Sequence, residues 1–510
     1  MTLRVDWRLS LGLVGTVVKW LALALVFPLL VAIYYGEVSA VVTFGITTAI
    51  ALVAGFGLEQ LRTGSELGHR EAFLMVALTW LVVSLVGSLP YVIAGNGTVA
   101  APANALFESM SGFTTTGATV MGDISFETHS RALLIWRQES QWLGGMGIVV
   151  LAVAILPELS VGGAQLLDAE APGPGIEKLT PRIAETARAL WVAYLGITLV
   201  EVFLLYGLHL GGLAPGMSFY HAIAHGFTTL STGGFSPAAR SIEAFSAAVQ
   251  WLIIPFMIAA GTNFALFWHV LDGNPSRLWR DVEFRFYLGL MGVIAAILTG
   301  LLFTGTGFLP GQGETVVGSL GTAVRHAVFQ AVSILTTTGY ATQDFNTWSP
   351  IAQYALFIAM FIGGSAGSTG GSIKVVRWLV ILKALRRELF TSVHPDAVRP
   401  VRLGGHALDE RAIRGIYAFT VLYLAVFFIA GGLLFLDSVR AGLGLSIIEA
   451  MTVAAATLGN IGPGFGIIGP MDSYLPFSRA SKLFMVGLMW VGRLEIFPVL
   501  VILTRSYWRS

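Results

Sequence analysis

Long apolar runs recur along the chain, separated by short polar breaks. A membrane-spanning helix needs about 20 mostly apolar residues. By that measure the pattern predicts ten spans: Leu13–Tyr35, Val38–Leu58, Ala72–Ala94, Ala132–Leu156, Ala189–Leu208, Ala244–Leu271, Phe286–Phe308, Ile351–Leu382, Ile416–Leu436 and Leu483–Thr504. The first run is long and lacks a clean small-residue cleavage site, so it reads as a span and not as a cleaved signal. The expected fold class is therefore an all-α polytopic membrane protein.

Composition agrees and narrows the class. A length of 510 residues would suggest three soluble domains of about 150 residues each, but only 12% of residues are charged and the mean hydropathy is +0.76. A soluble protein has about twice that charged fraction. Such a chain cannot cover its own surface in water, which excludes a soluble enzyme, a disordered scaffold and a nucleic-acid binder. The net charge of +1 offers no bulk field for an acidic partner. There is no cysteine, hence no disulfide, thiolate metal site or cysteine nucleophile. The 60 glycines ask for close helix packing or for bare backbone.

Lys and Arg set the orientation. With the N-terminus in the cytoplasm, the inner segments collect most of the 30 basic residues, and the outer segments hold only Arg131, Arg240, Arg325, Arg440, Arg479 and Lys482. Lys19, Arg137 and Arg493 fall inside spans. Both termini are then cytoplasmic. The longest basic inner stretch, Lys374–Arg414, is a docking surface for a cytosolic partner or a topology signal only.

Four outer segments share one pattern. Aligned without gaps they read NALFESMSGFTTTG (Asn104–Gly117), HAIAHGFTTLSTGG (His221–Gly234), HAVFQAVSILTTTG (His326–Gly339) and EAMTVAAATLGNIG (Glu449–Gly462). Each is too short to span and sits between two spans, so each can dip in as a half-helix and return as extended chain. Internal repeats of this kind decide a fold. They divide the chain into an N-terminal two-span extension (1–66) and four span–loop–span repeats (67–174, 175–272, 273–398 and 399–510) around a pseudo-fourfold axis. Non-helical backbone at membrane depth survives where protein buries it or water contacts it. Four such loops about an axis point rings of carbonyl oxygens inward, and such rings replace the hydration shell of a monovalent cation. No carboxylate ring is present, which disfavours a divalent-cation filter. The competing reading is four polar outer loops in which Thr and Gly are merely common.

These segments resemble those of the TrkH/KtrB superfamily of bacterial potassium transporters, and the resemblance covers nearly the whole chain. The two extra N-terminal spans favour the TrkH branch. The potassium-channel filter reads TVGYG. The corresponding stretches here are Thr115-Thr116-Gly117-Ala118, Thr232-Gly233-Gly234-Phe235, Thr337-Thr338-Gly339-Tyr340 and Asn460-Ile461-Gly462-Pro463. Only the central glycine is common to all four. The resemblance implies a simpler K⁺ filter, with K⁺ as permeant ligand and no other cofactor. It also implies a homodimer, a bacterial inner-membrane location, and a cytosolic regulatory ring of the TrkA type that binds NAD(H) or ATP.

The span after loop three contains Gly363–Lys374, GGSAGSTGGSIK. Each glycine costs a helix roughly 1 kcal/mol relative to alanine, so Gly363, Gly364, Ser365, Gly367, Gly370 and Gly371, followed by Lys374, predict a broken helix. In the resembling family this region is an intramembrane gate. The alternative is a glycine packing face. The P-loop spacing is not met. Arg493 lies deep in the last span, where an arginine is costly and faces a cavity or a partner. The resemblance places it below the filter. An ion pair with a carboxylate such as Glu201 is the other reading. Arg137, Gln138, Glu139 and Gln141 brace loop one or form the outer mouth, and bracing is the favoured reading. His221 and His326 begin two pore helices, as N-caps or as water-facing helix starts. Asp123, Glu127, Asp344 and Asp472 are candidate attractors of cations toward the mouth, or solvated loop residues.

Two rival functions were weighed. A secondary carrier built on inverted repeats, such as a Na⁺- or H⁺-coupled symporter, conflicts with loops that all enter from one side. A membrane-embedded enzyme lacks a motif: there is no H-E-x-x-H and no nucleophile elbow.

Overall fold

The computed structural model describes residues 5–62, 68–154, 183–271 and 273–508. Helices occur at all ten expected positions. The expected domain boundaries at 66/67 and 174/175 lie outside the described residues. Among the described residues, the regular structure is helical apart from one two-stranded hairpin, Arg402–Leu403 with His406–Ala407.

Among the described residues, six helical stretches are long and apolar enough to cross a membrane unaided: Trp7–Tyr35, Val38–Glu59, Arg70–Ala94, Ala187–Leu210, Val282–Thr304 and Glu410–Ala441. Their outward faces carry exposed Val192, Phe203, Phe428 and Leu436, the side chains that lipid solvates. The helix Arg131–Ala154 is more polar because Arg137, Gln138, Glu139 and Gln141 turn inward, where all four are buried.

The remaining spans are broken. Ala247–Ala260 meets Phe264–Val270 at 102°, and Arg479–Arg493 meets Phe497–Leu503 at 116°. These two bends were not expected from hydropathy, because apolar residues flank both breaks. The third break separates Pro350–Ala359 from Val375–Val393 at the glycine-rich stretch the composition had marked. All three lie beside one another and free backbone carbonyls inside the protein, the only place where membrane-depth backbone can leave a helix.

The N-terminal pair packs through small residues. A side chain on Gly15 would run into the Gly55 carbonyl and the Glu59 amide, so the two helices touch at backbone distance. Lys19 and Glu59 pair inside this hairpin, with Thr16 also donating to Glu59 (3.1 Å). Four short helices, Pro102–Phe113, Phe219–Leu230, Leu320–Leu335 and Ile447–Leu458, sit at the centre of the molecule and are largely buried. Ser446 and Glu449 start the last of them with a reciprocal capping box. Ser218, not His221, caps the second; His221 bonds Ser218 at 2.8 Å. His326 is not a helix start either, since its helix begins at Leu320; its ring meets Thr342 Oγ1 at 2.9 Å.

Candidate functional site

All four short helices end in the same way. After one cap residue (Thr114, Ser231, Thr336, Gly459), the chain turns left-handed at Thr115, Thr232, Thr337 and Asn460, with φ of 52°, 52°, 60° and 53°. The next residue returns to ordinary φ. Its amide reaches back into the helix: Thr116 to Ser111 O (2.8 Å), Gly233 to Thr228 O (2.8 Å), Thr338 to Ser333 O (2.9 Å) and Ile461 to Ala456 O (2.9 Å). Then Gly117, Gly234, Gly339 and Gly462 are left-handed again, at 80°, 76°, 77° and 99°. Alternating hand lets successive carbonyls face one side of the hairpin. Threonine at positive φ is strained, at about 1–3 kcal/mol per residue, and persists only where the surroundings enforce it.

The four hairpins close a ring. A Cβ on Gly117 would lie within 3.0 Å of the Gly233 carbonyl oxygen. One on Gly234 would meet Thr338 O, one on Gly339 would meet Ile461 O, and one on Gly462 would meet Thr116 O. The contacts run from loop one to two, three, four and back to one. Each involves the carbonyl just before the neighbour's glycine. Only a residue without a side chain fits at these four positions, on grounds of both φ and space.

Loops one and two are tied from behind. Arg137 pairs with Glu108 of the first short helix (2.6 Å), donates to Ser236 O (3.0 Å) and lies over the Phe235 ring at 3.5 Å. Glu108 also accepts from Val120 N (2.8 Å). Gln141, expected to brace loop one, instead holds loop two: its Nε2 donates to Gly233 O (2.6 Å) and its Oε1 accepts from Phe235 N (3.1 Å). Asn460 crosses to loop one by donating to Thr116 Oγ1 (2.9 Å). Tyr474 donates to Gly462 O (2.6 Å). Glu108 and Tyr474 were missed in the sequence, since neither stands in the repeated Thr/Gly columns.

The outer mouth is a vestibule lined in part by Ala118, Phe235, Pro463, Asp472 and Tyr474. Of the four candidate acids only Asp472 lines it. Burial and the nearby Asp344 carboxylate raise the Asp472 pKa above its ordinary 3.8, against a hydrogen bond from Asn346. Asp123 instead bonds Ser125 and Thr128 in its own loop, and Glu127 is exposed.

Directly beneath the ring lies the 363–374 segment. Gly371 N donates to Thr337 Oγ1 (2.7 Å), which joins this segment to loop three. Ser365 N reaches Gly261 O (2.8 Å) at the first bend. Thr369 Oγ1 bonds Ala260 O (3.0 Å) and Leu230 O (3.1 Å). Glu283 accepts from Ala366 N (2.9 Å), and Lys374 reaches Gly370 O. Gly363, Gly364 and Gly371 have no room for a Cβ, so these glycines both break the helix and pack tightly. Arg493 bonds two carbonyls, Thr369 O (2.7 Å) and Gly144 O (3.3 Å). Among the described residues it forms no ion pair with Glu201; Glu495 pairs instead with Arg377.

A four-hairpin ring within one chain invites comparison with known proteins. Residues 38–509 match the profile of the TrkH family, described as cation transport proteins. The chain belongs to the TrkH family. Its TrkH relatives include the Trk system potassium uptake protein TrkH of Halomonas elongata, 39% identical over 99% of both chains. Another is the protein of that name from Escherichia coli K12, 37% identical over 99% of this chain and all of the relative. The crystal structure of the potassium transporter TrkH from Vibrio parahaemolyticus superposes with a TM-score of 0.83 at 35% identity, covering 98% of this chain and 99% of that one.

Proposed function

We propose that this chain is the potassium-conducting membrane subunit of a Trk-type uptake system. The observation that carries the reading is the ring closure: each filter glycine abuts the carbonyl of the next loop, in cyclic order. Thr115, Thr116, Gly117, Thr232, Gly233, Gly234, Thr337, Thr338, Gly339, Asn460, Ile461 and Gly462 form the filter in this reading, and their carbonyls take the place of water around K⁺. Family membership and the names of the relatives point the same way. A symporter reading has no separate coupling site to support it among the described residues.

The gate is Gly363, Gly364, Ser365, Gly367, Gly370, Gly371 and Lys374, with Arg493. Its support is position: the segment lies under loop three, and Arg493 places a positive charge against its carbonyl. The cation path is blocked until the segment withdraws. The domain division, cytoplasmic termini and inner-membrane location follow the repeats and the basic inner segments. A homodimer and a nucleotide-binding ring of the TrkA type are the expected partners, and the exposed Arg386, Arg399, Arg402, Arg411 and Arg414 supply a docking face.

Purified protein in liposomes tests the conducting role by uptake of radioactive Rb⁺ or K⁺ with Na⁺ as competitor. Uptake resistant to excess Na⁺ is expected. Gly339→Ser, which drives a side chain into the Ile461 carbonyl, should lower the K⁺/Na⁺ ratio by about tenfold or more. An unaltered ratio would count against the filter.

A further inference from the structure

Gly233 is a glycine its backbone does not demand. It occupies the position before the left-handed glycine, where φ is ordinary and where the other loops carry Thr116, Thr338 and Ile461. Those three side chains fill the space behind their own hairpins. Thr116 bonds Thr114 (2.8 Å) and accepts from Asn460, Thr338 bonds Thr336 (2.7 Å), and Ile461 is buried among apolar neighbours.

Behind loop two that space is taken by a different helix. A Cβ on Gly233 would fall within 3.0 Å of the carboxamide carbon, oxygen and nitrogen of Gln141. Gln141 is fully buried. Its carboxamide straddles Gly234, donating to the carbonyl on one side and accepting from the Phe235 amide on the other. A side-chain amide has two functions to satisfy when buried, and here both ends are spent on the hairpin.

The carbonyl that Gln141 holds is also a ring oxygen. Gly233 O stands toward Gly117 as Thr338 O stands toward Gly234, Ile461 O toward Gly339 and Thr116 O toward Gly462. No hydrogen-bond donor is found on those other three oxygens among the described residues. One oxygen of the four is therefore shared with a fixed N–H. Selectivity in a carbonyl ring depends on its size and on the field strength of its dipoles, and a fixed N–H at 2.6 Å bears on the first by holding one oxygen in place.

We propose that Gln141 is a specificity-determining positioning residue. It replaces the missing side chain of loop two and sets the place of one ring carbonyl. The proposal rests on the filter reading above.

The test is K⁺ and Na⁺ flux in proteoliposomes at matched protein amounts, for wild type, Gln141→Met, Gln141→Ala, Gly233→Thr, the double variant Gln141→Ala with Gly233→Thr, and Gly339→Ser. Each Gln141 single variant should lower the K⁺/Na⁺ ratio by about fivefold or more. Gly233→Thr alone should do the same, since the new side chain collides with Gln141. The double variant rebuilds loop two on the pattern of loops one and three, and should return the ratio to within about twofold of wild type. A role in stability alone predicts that the single variants lower the unfolding temperature while the K⁺/Na⁺ ratio of the folded protein stays at the wild-type value. If the Gln141 variants keep the wild-type ratio while Gly339→Ser loses it, the proposal falls and the filter stands. If Gly339→Ser also keeps it, the filter reading falls first. Should Gln141→Ala lose its monodisperse elution, recovery of both elution and ratio in the double variant supports the proposal, and failure of either overturns it.

Discussion

The left-handed residue that follows the cap is held differently in each hairpin. Thr337 accepts from the segment below (2.7 Å), Thr232 donates to Ser231 O (2.7 Å), and Asn460 donates to Thr116 and to Met489 O (3.0 Å). Thr115 Oγ1 is buried with no partner among the described residues. Asparagine tolerates positive φ better than threonine, so the departure of loop four from the threonine pattern relieves strain at that position. The Arg137–Glu108 pair is a second residue-scale constraint. Removing one partner leaves a buried charge, which costs about 3–5 kcal/mol, whereas replacing both by apolar residues of similar volume is often near neutral. Arg137→Met should therefore lower the thermal unfolding temperature in detergent well below that of Arg137→Met with Glu108→Leu. Equal losses would show that the unpaired Glu108 carboxylate carries no such penalty. Asp472 supplies the pH prediction. Its raised pKa means that it takes up a proton at a higher pH than a carboxylate in water. As pH falls through that value the vestibule loses negative charge, and K⁺ uptake at low K⁺ should fall. Asp472→Asn should start from the lower uptake and show a flatter pH profile between neutrality and pH 4.

At the scale of elements, the short helices and the glycine-ended hairpins were legible because four gap-free copies reinforce one another. The break at Gly363–Lys374 was legible because glycine is a poor helix former. The bends after Ala260 and Arg493 were not. Hydropathy reads an apolar run through a corner without registering it, and Glu495 and Ile496 take positive φ (56° and 64°) with no glycine to announce it. The brace on loop two was misassigned for a related reason. Gln141 lies close in sequence to loop one, but its helix turns that side chain toward the next repeat. The three broken spans together cradle the 363–374 segment, and Arg493 brings a positive charge to Thr369 O. Arg493→Gln keeps a donor of similar reach and removes the charge. It should raise basal K⁺ flux by roughly tenfold, the scale of about 1.4 kcal/mol on a barrier. Flux at or below wild type would argue that Arg493 only fastens the segment.

For the whole molecule, the face that carries the basic stretch from Lys374 to Arg414 is more structured than a run of basic residues suggests. The hairpin at Arg402–Ala407 packs Val401 and Leu403 against Val380 and Ala384 of the helix that follows the 363–374 segment, and Arg387 is occupied by Glu388 and Glu410. A partner seated on Arg386, Arg399 and Arg402 would thus press on a unit continuous with that segment through the helix Val375–Val393. Reversing two exposed charges, Arg386→Glu with Arg399→Glu, should weaken capture of a purified regulatory ring at low salt while leaving basal flux within about twofold of wild type. Retained capture would place the docking face elsewhere.

Because the four hairpins are encoded in tandem and not supplied by four identical subunits, a point mutation alters one wall of the ring and leaves three untouched. A tetrameric pore receives every change in quadruplicate and so leaps between extremes. Here ion preference can drift by quarters, and each wall can answer to a different neighbour: one to the helix behind it, another to the segment beneath, a third to the loop at its side.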